Sequence, residues 1–237
     1  MGKIWTLARR ELLAYFVSPI AYLIGAGFLL LSAGWFFVSL RTGGEASLRP
    51  LFDGMAVLMV LAVPLLTMGL LSKEIDSGTL ETLVTSPVTD AEVILGKFLG
   101  VMIFYLAILA NTVWFLVAIW VFGAMDLGVA VTGYLGMIVL GAAYVAVGVF
   151  ASTLTRHQIV AAVVAIAVLA VFAILMGLVV QLGVRPWADL AARLNAMTYF
   201  RAFSRGVFDS RGLVYFLSAA GLFLFLSVKT LESRRWR

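Results

Sequence analysis

Six stretches of this chain, residues 20–40, 51–71, 98–122, 131–152, 159–182 and 212–228, are apolar over membrane-crossing lengths. A helix needs about 20 apolar residues to cross the hydrocarbon of a bilayer. None of the six carries Lys, Arg, Asp or Glu in its interior; Asp53 and Asp126 stand at span ends as solvated or capping residues. In lipid every backbone N–H and C=O must be paired within the segment, so each stretch has to be helical. The remaining composition agrees: 63% of the residues are hydrophobic and 12% charged, against roughly a quarter charged in soluble domains. The expected fold class is therefore an all-α integral membrane protein, one transmembrane domain over residues 1–237 with six transmembrane helices. Pro64 and several glycines inside the spans are compatible with this, because neighbouring helices satisfy the loosened backbone. Without cysteine, disulfides, thiolate chemistry and Cys-based metal sites are excluded.

Residues 3–17 have a different pattern. Ile4, Trp5, Ala8, Leu12, Tyr15 and Phe16 share one helical face, and Lys3, Thr6, Arg9, Arg10 and Leu13 the other. Too polar to span, this segment reads as an interfacial amphipathic helix, with a frayed cytosolic tail as the alternative. Ser18-Pro19 then turns the chain into the first span. That span is long enough to be retained as an anchor and lacks a small-residue cleavage site. Six spans put both termini on one side. Ten basic residues fall on that side (among them Lys3, Arg9, Arg10, Lys73 and Lys97) and seven on the other, which places both termini in the cytoplasm. The net charge of +5 accordingly points to anionic membrane lipid rather than nucleic acid.

Residues 73–97 form the one long polar segment between membrane-grade sequence, and the orientation puts it in the cytoplasm. Gly78 and Thr79 open a short helix whose Leu80, Leu83 and Val84 share a face by i, i+3, i+4 spacing. Ser86-Pro87 stops it. Thr89 and Glu92 have capping-box spacing, so a new helix is expected to start there and run into the third span. On the opposite side, Trp187, Leu190, Ala191 and Leu194 fit one helical face within residues 184–211. This segment reads as one or two short helices dipping into the outer interface, or else as a loop lying flat on it.

The chemistry-bearing motifs are sparse. The P-loop pattern required for ATP binding is missing. The single His157 cannot build a two-His metal site, and no paired carboxylates lie inside a span. Asn111, Thr112 and Gln181 suit hydrogen bonds to a neighbouring helix better than a substrate role. Catalytic, cofactor-binding and metal residues are therefore none in this reading.

The spacing Glu74, Gly78, Thr79, Leu80, Glu81, Leu83, Pro87 follows E-x-x-x-G-T-L-E-x-L-x-x-x-P between spans two and three. It resembles the signature of type-2 ABC transporter permeases. The Arg10–Pro19 stretch, R-E-L-x-A-Y-F-x-S-P, resembles the end of that family's amphipathic elbow helix. With Ser204, Arg205, Gly206, Val207, Asp209, Ser210 and Arg211 it is most similar to the gliding-motility-type (GldF-like) permeases. The resemblance covers essentially the whole chain. It implies a cytoplasmic coupling helix seated in a separate ABC ATPase, which would hold ATP and Mg. The ATPase-contact residues it implies are Glu74, Gly78, Thr79, Leu80, Glu81, Leu83, Ser86 and Pro87, with Glu74 and Glu81 pairing basic groups there. The elbow residues are Trp5, Arg9, Arg10 and Glu11, and Trp187, Leu190 and Leu194 would form an external gate. It further implies a permease subunit of exporter type in the bacterial inner membrane. A second permease chain, identical or related, would complete it, and a periplasmic accessory protein is compatible. The rival reading is a membrane scaffold that passes ATPase-driven movement to an external partner.

Overall fold

A computed structural model describes residues 2–41, 48–79, 88–122, 126–183 and 187–235. Among these residues the structure is mainly helical, with no strand. Six helices are long and apolar enough to cross a membrane: Pro19–Ser39, Leu48–Asp76, Asp90–Val121, Leu127–Leu154, Gln158–Leu182 and Ser210–Arg234, here spans 1 to 6. The chain is thus the multi-pass, all-α membrane protein that the apolar runs require. Three spans carry local irregularities. Span 2 breaks after Thr67 into a turn before the short helix Ser72–Asp76. Span 3 is interrupted at Thr112. Span 5 contains a π-helical turn at Val171–Leu175.

Span 4 is the centre of the bundle, packed on spans 2, 3, 5 and 6. Its sequence explains why. Gly133, Gly136, Gly141 and Gly148 lack side chains where Phe52, Phe203, Tyr105 and Thr67 press against the backbone. Small residues of this kind let membrane helices approach closely, where van der Waals contact supplies the attraction that the hydrophobic effect cannot. The Tyr105 hydroxyl donates to the Met137 carbonyl at 2.9 Å, and Thr112 and Tyr134 pair their hydroxyls at 2.9 Å across spans 3 and 4. Asp126 caps span 4, accepting from the amides of Gly128 and Val129.

The N-terminal helix Gly2–Val17 packs on span 3. Leu7 lies over Gly96, Ala8 and Glu11 over Gly100, and Tyr15 stacks on Phe104. Contacts advance together along both helices, so the elbow runs alongside the first half of span 3. A Cβ at Gly100 would stand 2.7 Å from that of Glu11 and 3.0 Å from the Ala8 carbonyl. Trp5 and Phe16 are exposed, while Glu11 turns inward, because it meets a buried cation described below.

The connection between spans 5 and 6 contains two short helices, Trp187–Leu194 and Ala196–Ser204, joined at Asn195. The flat-loop alternative is thereby excluded for residues 187–204. The packed residues are Ala191, Ala196, Met197, Phe200 and Phe203. Trp187 and Leu190, expected on the packed face with Leu194, point outward, and Leu194 is half-buried. Small Ala191 permits the approach to span 5, whereas an indole such as Trp187 favours the water–lipid interface.

Candidate functional site

A buried ionic site is built on Lys97, which the sequence places between Ile94, Leu95 and Phe98, Leu99 near the N-terminal end of span 3. An isolated ammonium in such surroundings would be costly. Here all three N–H groups are used. Lys97 Nζ donates to Glu11 Oε1 at 2.7 Å, to Glu74 Oε1 at 2.8 Å and to the Leu70 carbonyl at 2.8 Å. The Lys97 side chain is 3% exposed, and those of Glu11 and Glu74 are 15% and 17% exposed.

Each partner arrives for a local reason. Glu11 sits on the elbow face that Gly96 and Gly100 admit to span 3. The turn after Thr67 leaves the Leu70 carbonyl to the ammonium, and the helix Ser72–Asp76 then aims Glu74 back at it. One nitrogen therefore ties together the elbow, the end of span 2 and the start of span 3. Arg10 lies 3.6 Å from both carboxylates but is 56% exposed, so solvent leaves its pairs little weight. Tyr15 reinforces the junction by donating to the Leu66 carbonyl at 2.6 Å. Burial, and then the Glu11 carboxylate, hold its phenol above the ordinary range. Beside the cluster lies a cavity of about 240 Å³, bordered by Ser18, Lys73 and Gln158.

From this junction the chain runs into the segment expected to be a coupling helix. Ser77 to Thr79 form an exposed turn, and Gly78 has φ +72°, a left-handed conformation that a β-carbon makes costly. Leu80, Glu81, Leu83, Ser86 and Pro87 lie outside the described residues, and with them the expected short helix. The far side is described. Thr89 caps the helix that begins at Asp90: its hydroxyl accepts from the Glu92 amide at 3.2 Å, while Glu92 Oε2 accepts from the Thr89 amide at 2.8 Å. This is the capping box read from the sequence. Both ends of segment 78–88 are thus fixed, one by the Lys97 cluster and one by this box. Thr89→Ala is expected to cost about 1 kcal/mol. Hydrogen exchange over residues 89–95 should speed up correspondingly.

Of the expected site residues, the structure brings together Arg10, Glu11 and Glu74. Glu74 spends one carboxylate oxygen on Lys97, and its Oε2 is buried without a partner. Trp5 and Arg9 are exposed on the elbow, and Trp187 and Leu190 are exposed at the other end of the bundle. Lys97 itself was missed as a site residue, having been counted among the cytoplasmic positive charges. Its signal was available: a lone Lys inside apolar sequence, with two acids beside the ends of neighbouring spans. Among the described residues no group of three His, Cys, Asp or Glu side chains could hold a metal ion. The arrangement is suited to holding and transmitting position.

A family model described as "ABC-2 family transporter protein" matches residues 12–227. No curated protein matches the chain by sequence.

Proposed function

Because the chain belongs to the ABC-2 family of transporter proteins, it is a permease component of an ABC transporter, and we propose that it is one half of an exporter. In this reading a second permease chain, identical or related, completes the pathway, and two separate cytoplasmic ATPase chains drive it. Segment 78–88 seats in an ATPase groove through Gly78, Thr79, Leu80, Glu81, Leu83, Ser86 and Pro87. Glu74 serves by anchoring the segment. ATP and Mg belong to the ATPase. When ATP closes the ATPase pair, the segment moves, and the Lys97 cluster passes that displacement to span 3, span 2 and the elbow at once. The observation carrying this reading is the threefold-bonded, buried Lys97 at the root of the segment.

The same reading places both termini in the cytoplasm of a bacterial cell, with the chain in the inner membrane. Single cysteines at positions 2 and 236 should react with an impermeant maleimide only after the cells are opened; labelling of either in intact cells contradicts this topology. Trp187 and Leu190, outward-facing within their own chain, would meet the second permease chain near Leu194 as an external gate. The likeness of residues 9–19 and 204–211 to gliding-motility permeases supports a variant in which hydrolysis moves a periplasmic partner. Reconstitution with the ATPase in vesicles separates the two. ATP-dependent solute movement supports the exporter, and ATP-dependent displacement of a bound external protein without solute flux supports the variant.

A further inference from the structure

Ser18, Lys73 and Gln158 come from three separate parts of the chain and meet on the cavity beside the Lys97 cluster. Ser18 precedes span 1, Lys73 belongs to the short helix that ends span 2, and Gln158 opens span 5. These span ends all lie on one side of the bundle, at the depth where hydrocarbon gives way to headgroups. Ile20 and Leu65 also line the cavity and are exposed, so its apolar lip faces the acyl chains. Gly69 shapes the floor. A Cβ there would stand 2.9 Å from Lys73 Cε and 3.4 Å from Gln158 Oε1, so the missing side chain is what lets the Lys73 stem lie over the turn beside Gln158.

The charges here are unequal. Glu11 and Glu74 both bond Lys97 through Oε1, and Arg10 lies 3.6 Å from each. Among the described residues no carboxylate pairs with Lys73, and neither the Ser18 hydroxyl nor the Gln158 side-chain amide makes a hydrogen bond. Two carboxylates therefore face three cations, and the surplus charge is the Lys73 ammonium. Lys73 is exposed, and Ser18 and Gln158 are half-buried, so a ligand can reach all three. An ammonium, a hydroxyl and an amide N–H together suit an anion with several acceptor oxygens. The volume of about 240 Å³ falls below the ~300–1,000 Å³ of drug-sized sites, which admits a headgroup but not its acyl chains. We propose that the cavity binds the phosphodiester of an anionic bilayer phospholipid, held by Lys73, Ser18 and Gln158, with the acyl chains leaving past Ile20 and Leu65. Bound there, the phosphate ties the ends of spans 1, 2 and 5 together beside the Lys97 cluster. The site depends neither on how the ATPase docks nor on which side of the membrane this end faces.

Native mass spectrometry of the full chain in detergent tests this, with phosphatidylglycerol and phosphatidylcholine of identical acyl chains as probes. Phosphatidylglycerol should bind several-fold more tightly, because choline brings a second positive charge next to Lys73. Lys73→Gln should melt like wild type, since Lys73 is exposed and unpaired, yet weaken phosphatidylglycerol binding about tenfold, the low end for losing a hydrogen bond to a charged group. Lys73→Arg should keep most of the affinity. Gly69→Ala keeps the charge but displaces its stem, and should weaken binding several-fold. Arg9→Gln removes an exposed charge from the elbow outside the cavity and should change the affinity less than twofold. The proposal is overturned if Lys73→Gln binds phosphatidylglycerol like wild type, or if Arg9→Gln costs as much as Lys73→Gln, the loss then being one of general surface charge. Phosphatidylcholine binding as tightly as phosphatidylglycerol overturns it too. So does displacement of the lipid by an equal concentration of inorganic phosphate, which would make this a site for a soluble anion. Failure of Lys73→Gln to fold also overturns it, because Lys73 would then be holding the structure.

Discussion

Lys97→Met should destabilise the chain by about 3–5 kcal/mol, the usual result of removing one partner from a buried ion cluster. Glu11 Oε1 and Glu74 Oε1 both lie within 2.8 Å of the lost nitrogen and would be left facing each other in a poorly solvated junction. The Leu70 carbonyl would lose its donor as well. At roughly 2–4 °C per kcal/mol for a chain of this size, the melting midpoint in detergent should fall by about 10 °C. Adding Glu11→Gln and Glu74→Gln to Lys97→Met should restore most of the loss, because neutral replacement of a whole buried cluster is often tolerated. Arg10→Ala should change the midpoint little, its pairs being solvent-exposed. Equal, small effects from all these variants would mean that the cluster is screened and holds nothing together.

The spans were legible because bilayer thickness and backbone satisfaction leave few alternatives to an apolar helix of about 20 residues. Their packing order was less so. Which span sits at the centre depends on where Gly133, Gly136, Gly141 and Gly148 accept neighbouring side chains, and no hydropathy pattern reports a partner. The break after Thr67 and the π-helical turn at Val171–Leu175 likewise left no periodicity signal, since those stretches are apolar all round.

The elbow shows the same limit from the other side. Its helix was readable from charge and spacing, but the apolar face assigned to the membrane (Ile4, Trp5, Ala8, Leu12, Tyr15 and Phe16) and the opposite face left Glu11 unassigned and without a partner. Close approach at Gly96 and Gly100 and the cation at Lys97 supply that partner. A tertiary ion pair joins residues 86 positions apart, and nothing in the local sequence of either residue points to the other. The capping box at Thr89 and Glu92 was readable because its geometry is wholly local. Between spans 5 and 6, helix existence was evident, yet of the expected face Ala191 is packed while Trp187 and Leu190 are exposed.

Transmission of ATPase work through segment 78–88 is what the functional reading depends on, and Leu83→Asp probes it. The i, i+3, i+4 spacing of Leu80, Leu83 and Val84 is that of an apolar face, which in the proposed cytoplasmic setting calls for a partner to cover it. A carboxylate at position 83 would be buried unpaired in that contact, costing about 2–4 kcal/mol, a weakening of roughly 30- to 700-fold. The Lys97 cluster is made by Glu11, Leu70 and Glu74, so the variant should melt like wild type. Lys97→Met, by contrast, should damage both fold and coupling. The decisive measurement is co-purification of Leu83→Asp with the ABC ATPase, read together with the ATPase rate in reconstituted vesicles. A folded variant that neither retains the ATPase nor stimulates hydrolysis is the expected result; wild-type retention and wild-type hydrolysis would contradict the coupling role of this segment.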